Sequence, residues 1–242
     1  MLGLGNSITT SGATSEEVFD GFSILFDGTD DFLSNASFDN TLIQDAYTMT
    51  AWVKVGSLSA HAAIIGMYSS DASDDDTYYL RVNSNGTIRS QQRGTVGNKF
   101  LTTGGDIQSA GWKHIAATWT KGGLMHVYIN GSVTDHTSTD SQDLNDGTDG
   151  IVIGSKDRGD DATNEFNGLI NDVAIWSAEL DQTAITALYN LGKPIDVTDS
   201  YSSNLVAYWK MEEGTGTTVA DSSSNSYTLT FNAAPEWSTD TP

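Results

Sequence analysis

The chain has no cysteine, which excludes disulfides and thiolate-bound metals and leaves its redox compartment undetermined. No apolar run approaches the roughly 18 residues that span a bilayer as a helix, so membrane insertion is not expected. The first residues, MLGLGNSITTSGATSEE, carry neither a basic nor an apolar segment and do not read as a secretory signal. Cations are scarce: eleven Lys and Arg face 32 Asp and Glu, a formal charge of -21. That balance disfavours nucleic acid and anionic membranes as partners and makes cation binding the easier expectation. The acids gather at Asp71–Asp76, Asp140–Asp149 and Asp157–Asp161, where the plain alternative is a solvated loop surface.

Catalytic signatures are also missing. A retaining glycosidase needs two carboxylates about 5 to 5.5 Å apart. On a strand this pair would show as Glu-x-Asp-x-Glu or a similar alternation, and no such run exists. Glu212 and Glu213 are adjacent and would face opposite ways, while Glu165, Glu179 and Glu236 stand alone. His61, His114, His126 and His136 have no Gly-x-Ser-x-Gly setting near them, and His114 and His126 suit half-buried hydrogen bonds in strands. Asp143-x-Asn145-Asp146-Gly147 lacks the spacing and the terminal Glu of an EF-hand. The chain is therefore expected not to be an enzyme, a carbohydrate-active enzyme being the alternative.

What the sequence does have is alternation. In GWKHIAATWTKGGLMHVYINGSV (111–133), Ile115, Ala117 and Trp119 share one face, and Met125, Val127 and Ile129 share one face of a returning strand. Lys121-Gly122-Gly123 turns the chain between them, and Asn130-Gly131 turns it again. A hairpin this apolar needs a second sheet to cover it. Further strands are predicted at 22–26, 32–33, 47–55, 62–68, 77–82, 87–92, 99–103, 151–154, 168–176, 205–211 and 227–231. One helix is predicted over 181–190, with Asp181 as its cap, Gly192 in the left-handed conformation at its end and Pro194 preventing continuation. About a dozen short strands imply an all-β sandwich or jelly roll. Trp52, Trp119, Trp176 and Trp209 alternate with apolar neighbours and are expected in its core. Tyr68, Tyr78, Tyr79 and Trp237 lie nearer loop ends and are the candidate rings for a ligand-binding face.

Several phrases together resemble the laminin G-like, concanavalin A-like jelly roll in its bacterial and phage branch. They are FSILFDGTDDFLS (22–34), YTMTAWVKV (47–55), GWKHIAATW (111–119), VYINGSV (127–133), FNGLINDVAIWSAELDQTAITALYNLG (166–192) and LVAYWKMEEGTGTTVADSSSNSYTLT (205–230). In that family the AYW…DSS segment commonly precedes the FDGTDD strand, whereas here it follows the helix, as in a circular permutation. Chain ends of a sandwich often lie close together, so such a rearrangement is physically inexpensive. The resemblance implies two antiparallel sheets with one short helix, formed by a single domain over 21–242. Residues 205–231 would complete that sandwich, and residues 1–20 would form a separate extended arm.

The resemblance also implies calcium at FDGTDD, with Asp27, Asp30 and Asp31 as ligands and Asp172 as their partner. An Asp-Gly turn needs no metal, and that is the alternative. The expected function is a non-catalytic module binding a glycan, a surface or a neighbouring subunit. Laminin G-like modules act outside cells, yet the chain shows no secretory signal. The expected location is therefore a virion exterior, reached through host lysis, as a fibre, decoration or adhesion subunit. The arm at 1–20 would tie it to neighbouring virion subunits or into a homo-oligomer. The alternative is an extracellular or bacterial cell-surface adhesin.

Overall fold

The computed structural model describes residues 21–67, 78–94, 97–103, 105–108, 110–138, 150–156 and 164–242. The arm at 1–20, Tyr68 and the three acidic loops named above lie outside the described residues. The first strands are β1 (Ser23–Asp27), β2 (Phe32–Asn35), β3 (Ala46–Val55) and β4 (Ala62–Met67). Then come β5 (Tyr78–Val82), β6 (Ile88–Gly94), β7 (Gly97–Thr102), β8 (Lys113–Thr120), β9 (Leu124–Ile129) and β10 (Ser132–Ser138). The short β11 (Ile151–Ile153) and the long β12 (Asn167–Trp176) precede helices α1 (Gln182–Tyr189) and α2 (Val197–Ser200). The chain closes with β13 (Leu205–Trp209), β14 (Thr218–Val219), β15 (Leu229–Asn232) and β16 (Glu236–Ser238).

These strands form two antiparallel sheets of eight, the all-β sandwich the alternation predicts. The first runs β10-β9-β8-β3-β12-β1-β16, with β13 also paired to β12. The second runs β14-β15-β2-β11-β4-β5-β6-β7. Between them lies the main core. Ile115, Ala117 and Trp119 of β8 and Met125 and Val127 of β9 all face into it, as do Tyr47, Met49, Ala51, Val53 and Val55 of β3. A second, smaller cluster sits on the far side of the first sheet, where α1 lays Ile185 and Leu188 over Trp176 and Tyr208.

The strand β12 organises the C-terminal segment. Its first half pairs with β1, Ile170 opposite Ile24, and its second half pairs with β13, Val173 opposite Trp209. β13 thus continues the line of β1. Further on, β15 pairs with β2 and β16 with β1, so residues after the helices add strands to both sheets. Trp209 is fully buried, and its indole N–H donates to the Tyr227 carbonyl at 2.7 Å.

Helix α1 starts where its cap predicts, since the Asp181 carboxylate accepts from the Ala184 N–H at 2.8 Å. Its end differs from expectation. The left-handed cap is Asn190, at φ 43 and ψ 46, ahead of Gly192, because Asn tolerates that conformation without needing Gly. Three strands lie outside the predicted ranges: β10 is polar, SVTDHTS, and pairs with the apolar β9, β14 is a two-residue strand paired with β15, and β16 is a three-residue edge strand held by β1.

Candidate functional site

Asp27, Asp30 and Asp31 stand at the turn between β1 and β2, and each offers a carboxylate oxygen within 4.8 Å of the other two. Gly28 makes the turn at φ 79, and a Cβ there would come within 2.8 Å of the Asn167 Cβ, so glycine is required. Asp31 is buried. Its Oδ2 accepts from the Asp27 N–H at 3.0 Å and its Oδ1 from the Ala234 N–H at 3.0 Å, which staples the turn to the chain leading into β16. Burial raises the Asp31 pKa, the two backbone hydrogen bonds oppose the rise, and the charges of Asp27 and Asp30 add to it. Asp27 and Asp30 are exposed. A hard cation such as calcium takes six to eight oxygens, and these carboxylates are donors of the right type, with carbonyls and water needed for the rest of its shell.

Asp172 does not join them, which corrects the predicted ligand set. Asp27 lies opposite Asn167, and Asp172 stands five residues further along β12, roughly 16 Å at the rise of a strand. Asp172 has φ 46 and sits where the β12–β3 ladder slips between Asn171 and Ala174, the point at which β12 exchanges β1 for β13. Its Oδ1 accepts from the Tyr208 hydroxyl at 2.5 Å, in a small space under α1 lined by Trp52, His114 and Leu188. Burial pushes its pKa up to about 7, against the Tyr208 hydrogen bond and with the help of the Glu212 charge. Burial likewise pushes His114 down to about 3, so it is neutral. The cavity there is about 10 Å³, room for one water at most.

Tyr78 is a second correction: it opens β5, and the pleat turns it into the main core, edge-on to Tyr47 with ring centres 5.7 Å apart. Tyr79 turns outward but is 5% exposed, and its hydroxyl donates to Gln91 Oε1 at 2.6 Å. Trp237 is half-buried: its ring lies 5.5 Å from Phe231 and 6.5 Å from Phe22, and its N–H donates to the Gly216 carbonyl at 3.0 Å. It clasps the C-terminal strand to the sandwich.

The open ring on this side of the molecule is one that sequence reasoning missed. Leu80, Val82 and Ile88 face the core, so Tyr79, Arg81, Arg89 and Gln91 share the outer face of β5 and β6, and Phe100 of β7 lies opposite Gln91. Phe100 is 53% exposed, with the Arg89 guanidinium 3.9 Å above its ring centre. Arg81 lies 5.1 Å over Tyr79, and its Nε donates to Asn83 Oδ1 at 3.0 Å. The signal was present in IRSQQRG and NKFLT, where the residues alternate in the same period as the core residues. The weak apolar content of 97–102 hid it.

Four of the five glutamates weighed for catalysis have partners within the fold, and the fifth, Glu236, is exposed on β16. Glu165 is buried and accepts from the Ser155 hydroxyl at 3.0 Å, Glu179 lies 3.4 Å from His126 Nδ1, Glu212 accepts from the Gly21 N–H at 2.8 Å, and Glu213 accepts from the Ala220 N–H at 2.7 Å.

Two sheets, a helix roofing one of them and an acidic turn at their rim define a class of lectin-like sandwich. The family model described as the concanavalin A-like lectin/glucanases superfamily matches residues 27–186, and the chain belongs to that superfamily. No protein of curated function matches it. Among solved structures, it resembles a candidate carbohydrate binding protein from Bacteroides ovatus with a TM-score of 0.70 and 16% identity. That likeness covers 90% of this chain, which spans only 60% of the Bacteroides ovatus protein. The native heptameric SAP-like pentraxin of Limulus polyphemus has a TM-score of 0.62 and 16% identity, over 91% of this chain and 96% of that one. The CBM40 of the Ruminococcus gnavus IT-sialidase, solved with α2,3 sialyllactose, has a TM-score of 0.57 and 14% identity, over 69% of this chain and 96% of that one. At these identities the likeness is one of fold. Among the described residues, no helix is long and apolar enough to cross a membrane.

Proposed function

We propose that the chain is a non-catalytic module that binds a glycan on the outer face of β5, β6 and β7. The observation that carries this reading is Phe100, an aromatic ring left 53% exposed on the edge strand β7, with Gln91 opposite it and the guanidinium of Arg89 over it. A sugar ring stacks on such a surface through its C–H face while its hydroxyls use the polar neighbours, the usual division of labour in a recognition site. The glycan-recognising proteins that share this fold support the choice of ligand class by analogy. The structural partners of Glu165, Glu179, Glu212 and Glu213 support a binding role over hydrolysis. On a glycan array the intact chain is expected to retain a defined set of oligosaccharides, and Phe100→Ala is expected to lose them while folding normally. Retention of the same set by Phe100→Ala would remove the reading.

The finer part of the proposal is the address: the exterior of a phage or virus particle, as a fibre, decoration or adhesion subunit joined to its neighbours through residues 1–20. A charge of -21 supports an outward-facing subunit and disfavours one lining packaged nucleic acid. An oligomer in solution that dissociates when residues 1–20 are removed is the expected result. A monomer in both forms contradicts it.

A further inference from the structure

The outer face of β5 and β6 carries a charge arrangement that is out of keeping with the rest of the chain. Against 32 acidic residues there are eleven basic ones, yet Arg81 and Arg89 stand directly opposite each other on adjacent strands. Like charges in that cross-strand relation destabilise a sheet. An acid at either position would have cancelled the repulsion in a chain that is rich in acids.

Arg89 is the more telling of the two. Its Nε is buried and has no hydrogen-bond acceptor, and no carboxylate lies within ion-pairing distance of it among the described residues. Its guanidinium carbon lies 3.9 Å from the centre of the Phe100 ring, a cation–π contact that holds the group on the outer face of the sheet. A fixed, incompletely satisfied guanidinium is matched by an anion that accepts two parallel hydrogen bonds. The positive potential also reaches past the two side chains. The pKa of His61, whose Nδ1 accepts from the Ser84 N–H at 3.1 Å, is lowered by burial first and then by the charges of Arg81 and Arg89.

We propose that the glycan bound on this face bears an anionic group, a carboxylate or a sulfate ester, seated on Arg89 beside Arg81. The proposal rests on the glycan-binding reading above. The sugar ring lies against Phe100, and the acidic group displaces water from the guanidinium pair and offsets their mutual repulsion.

The test titrates matched probes into the full chain: 3′-sialyllactose and 3′-sulfolactose against lactose, and oligogalacturonate against its methyl ester. The acidic member of at least one pair is expected to bind roughly tenfold or more tighter than its neutral counterpart, the size of one charge-assisted hydrogen bond. Which pair responds separates carboxylate from sulfate. Arg89→Gln is expected to bring the acidic probe down to the level of the neutral one, Arg89→Lys to fall between, and the His61 pKa, followed by NMR, to rise when the acidic probe binds. Equal binding of acidic and neutral probes, unaffected by Arg89→Gln, overturns the anionic inference and leaves the glycan reading intact. If hexaglutamate binds and no sugar does, the face is a peptide site and both readings fall. They fall as well if Arg89→Gln retains a native fold and neither it nor the intact chain binds any probe.

Discussion

On the outer side of the first sheet, Trp52, Trp176 and Tyr208 are buried under α1 and the chain from Ile195 to Tyr201, and the Trp176 N–H donates to the Tyr201 carbonyl at 2.7 Å. On the outer side of the second sheet, Phe100 is 53% exposed and, among the described residues, has the Arg89 guanidinium over its ring. Both faces are built by the same period-two alternation. What separates a structural ring from an available one here is the presence of a cover, and the cover comes from chain segments remote in sequence. The roofed face is part of the folding core.

The comparison rests on the C-terminal segment, so its removal should have the largest effect. Deleting residues 205–242 takes β13 and β16 from the roofed sheet and β14 and β15 from the other, and cooperative thermal unfolding is expected to disappear. A truncated chain that melts like the intact one would show that these strands are accessory. Next in size, Trp176→Ala on the roofed face is expected to cost about 3–5 kcal/mol by denaturant unfolding, whereas Phe100→Ala on the open face should stay within about 0.5 kcal/mol. Comparable losses at the two positions would abolish the distinction.

Asp172 sharpens the contrast through pH. Its folded pKa, about 7, lies above the ordinary carboxylate value, so the folded chain holds a proton that the unfolded chain has released. The group therefore takes away stability as pH rises from about 4 to about 7, and adds no further dependence above that. Asn accepts the Tyr208 hydrogen bond, tolerates φ 46 and cannot ionise. Asp172→Asn is expected to melt higher than the parent at pH 8, by on the order of a few kcal/mol at most, with the gain shrinking toward pH 4. A difference that does not vary with pH would mean that the carboxyl is not held neutral by the roof.

A last stability effect concerns the rim. We propose that calcium binds at Asp27, Asp30 and Asp31, which would relieve the repulsion that helps raise the Asp31 pKa. A cation bound only to the folded chain adds about 2.7 kcal/mol at a hundredfold excess over its Kd. A melting temperature unmoved by added calcium and by chelator would leave the cluster as a turn and staple only.

The elements legible in the sequence were those whose determinants are local. The hairpin 111–133 announced itself by alternation and by two Gly-containing turns, and α1 by the spacing of Ile185 and Leu188 behind Asp181. Burial that depends on a distant segment was not legible. Tyr78 stands at the start of a strand the alternation predicts, but nothing local shows that its side of β5 is covered by the other sheet. The family resemblance implies Asp172 as a partner for Asp27, and β12 does pair with β1, but only as far as Ile170. The bulge and the exchange of β1 for β13 that carry Asp172 toward Tyr208 are tertiary facts. Phe100 was passed over for the opposite reason: its strand is too polar to stand out, and only its register with Gln91 shows the face it shares.

The most direct test of the open-face account is backbone-amide chemical-shift mapping of the isotopically labelled chain during titration with its tightest array oligosaccharide. The account predicts the largest shifts at Tyr79, Arg89, Gln91 and Phe100, with the residues beneath α1, Trp52 and Tyr208 among them, unmoved. Shifts centred on Asp27–Asp31 or beneath α1, with the Phe100 face silent, would contradict it.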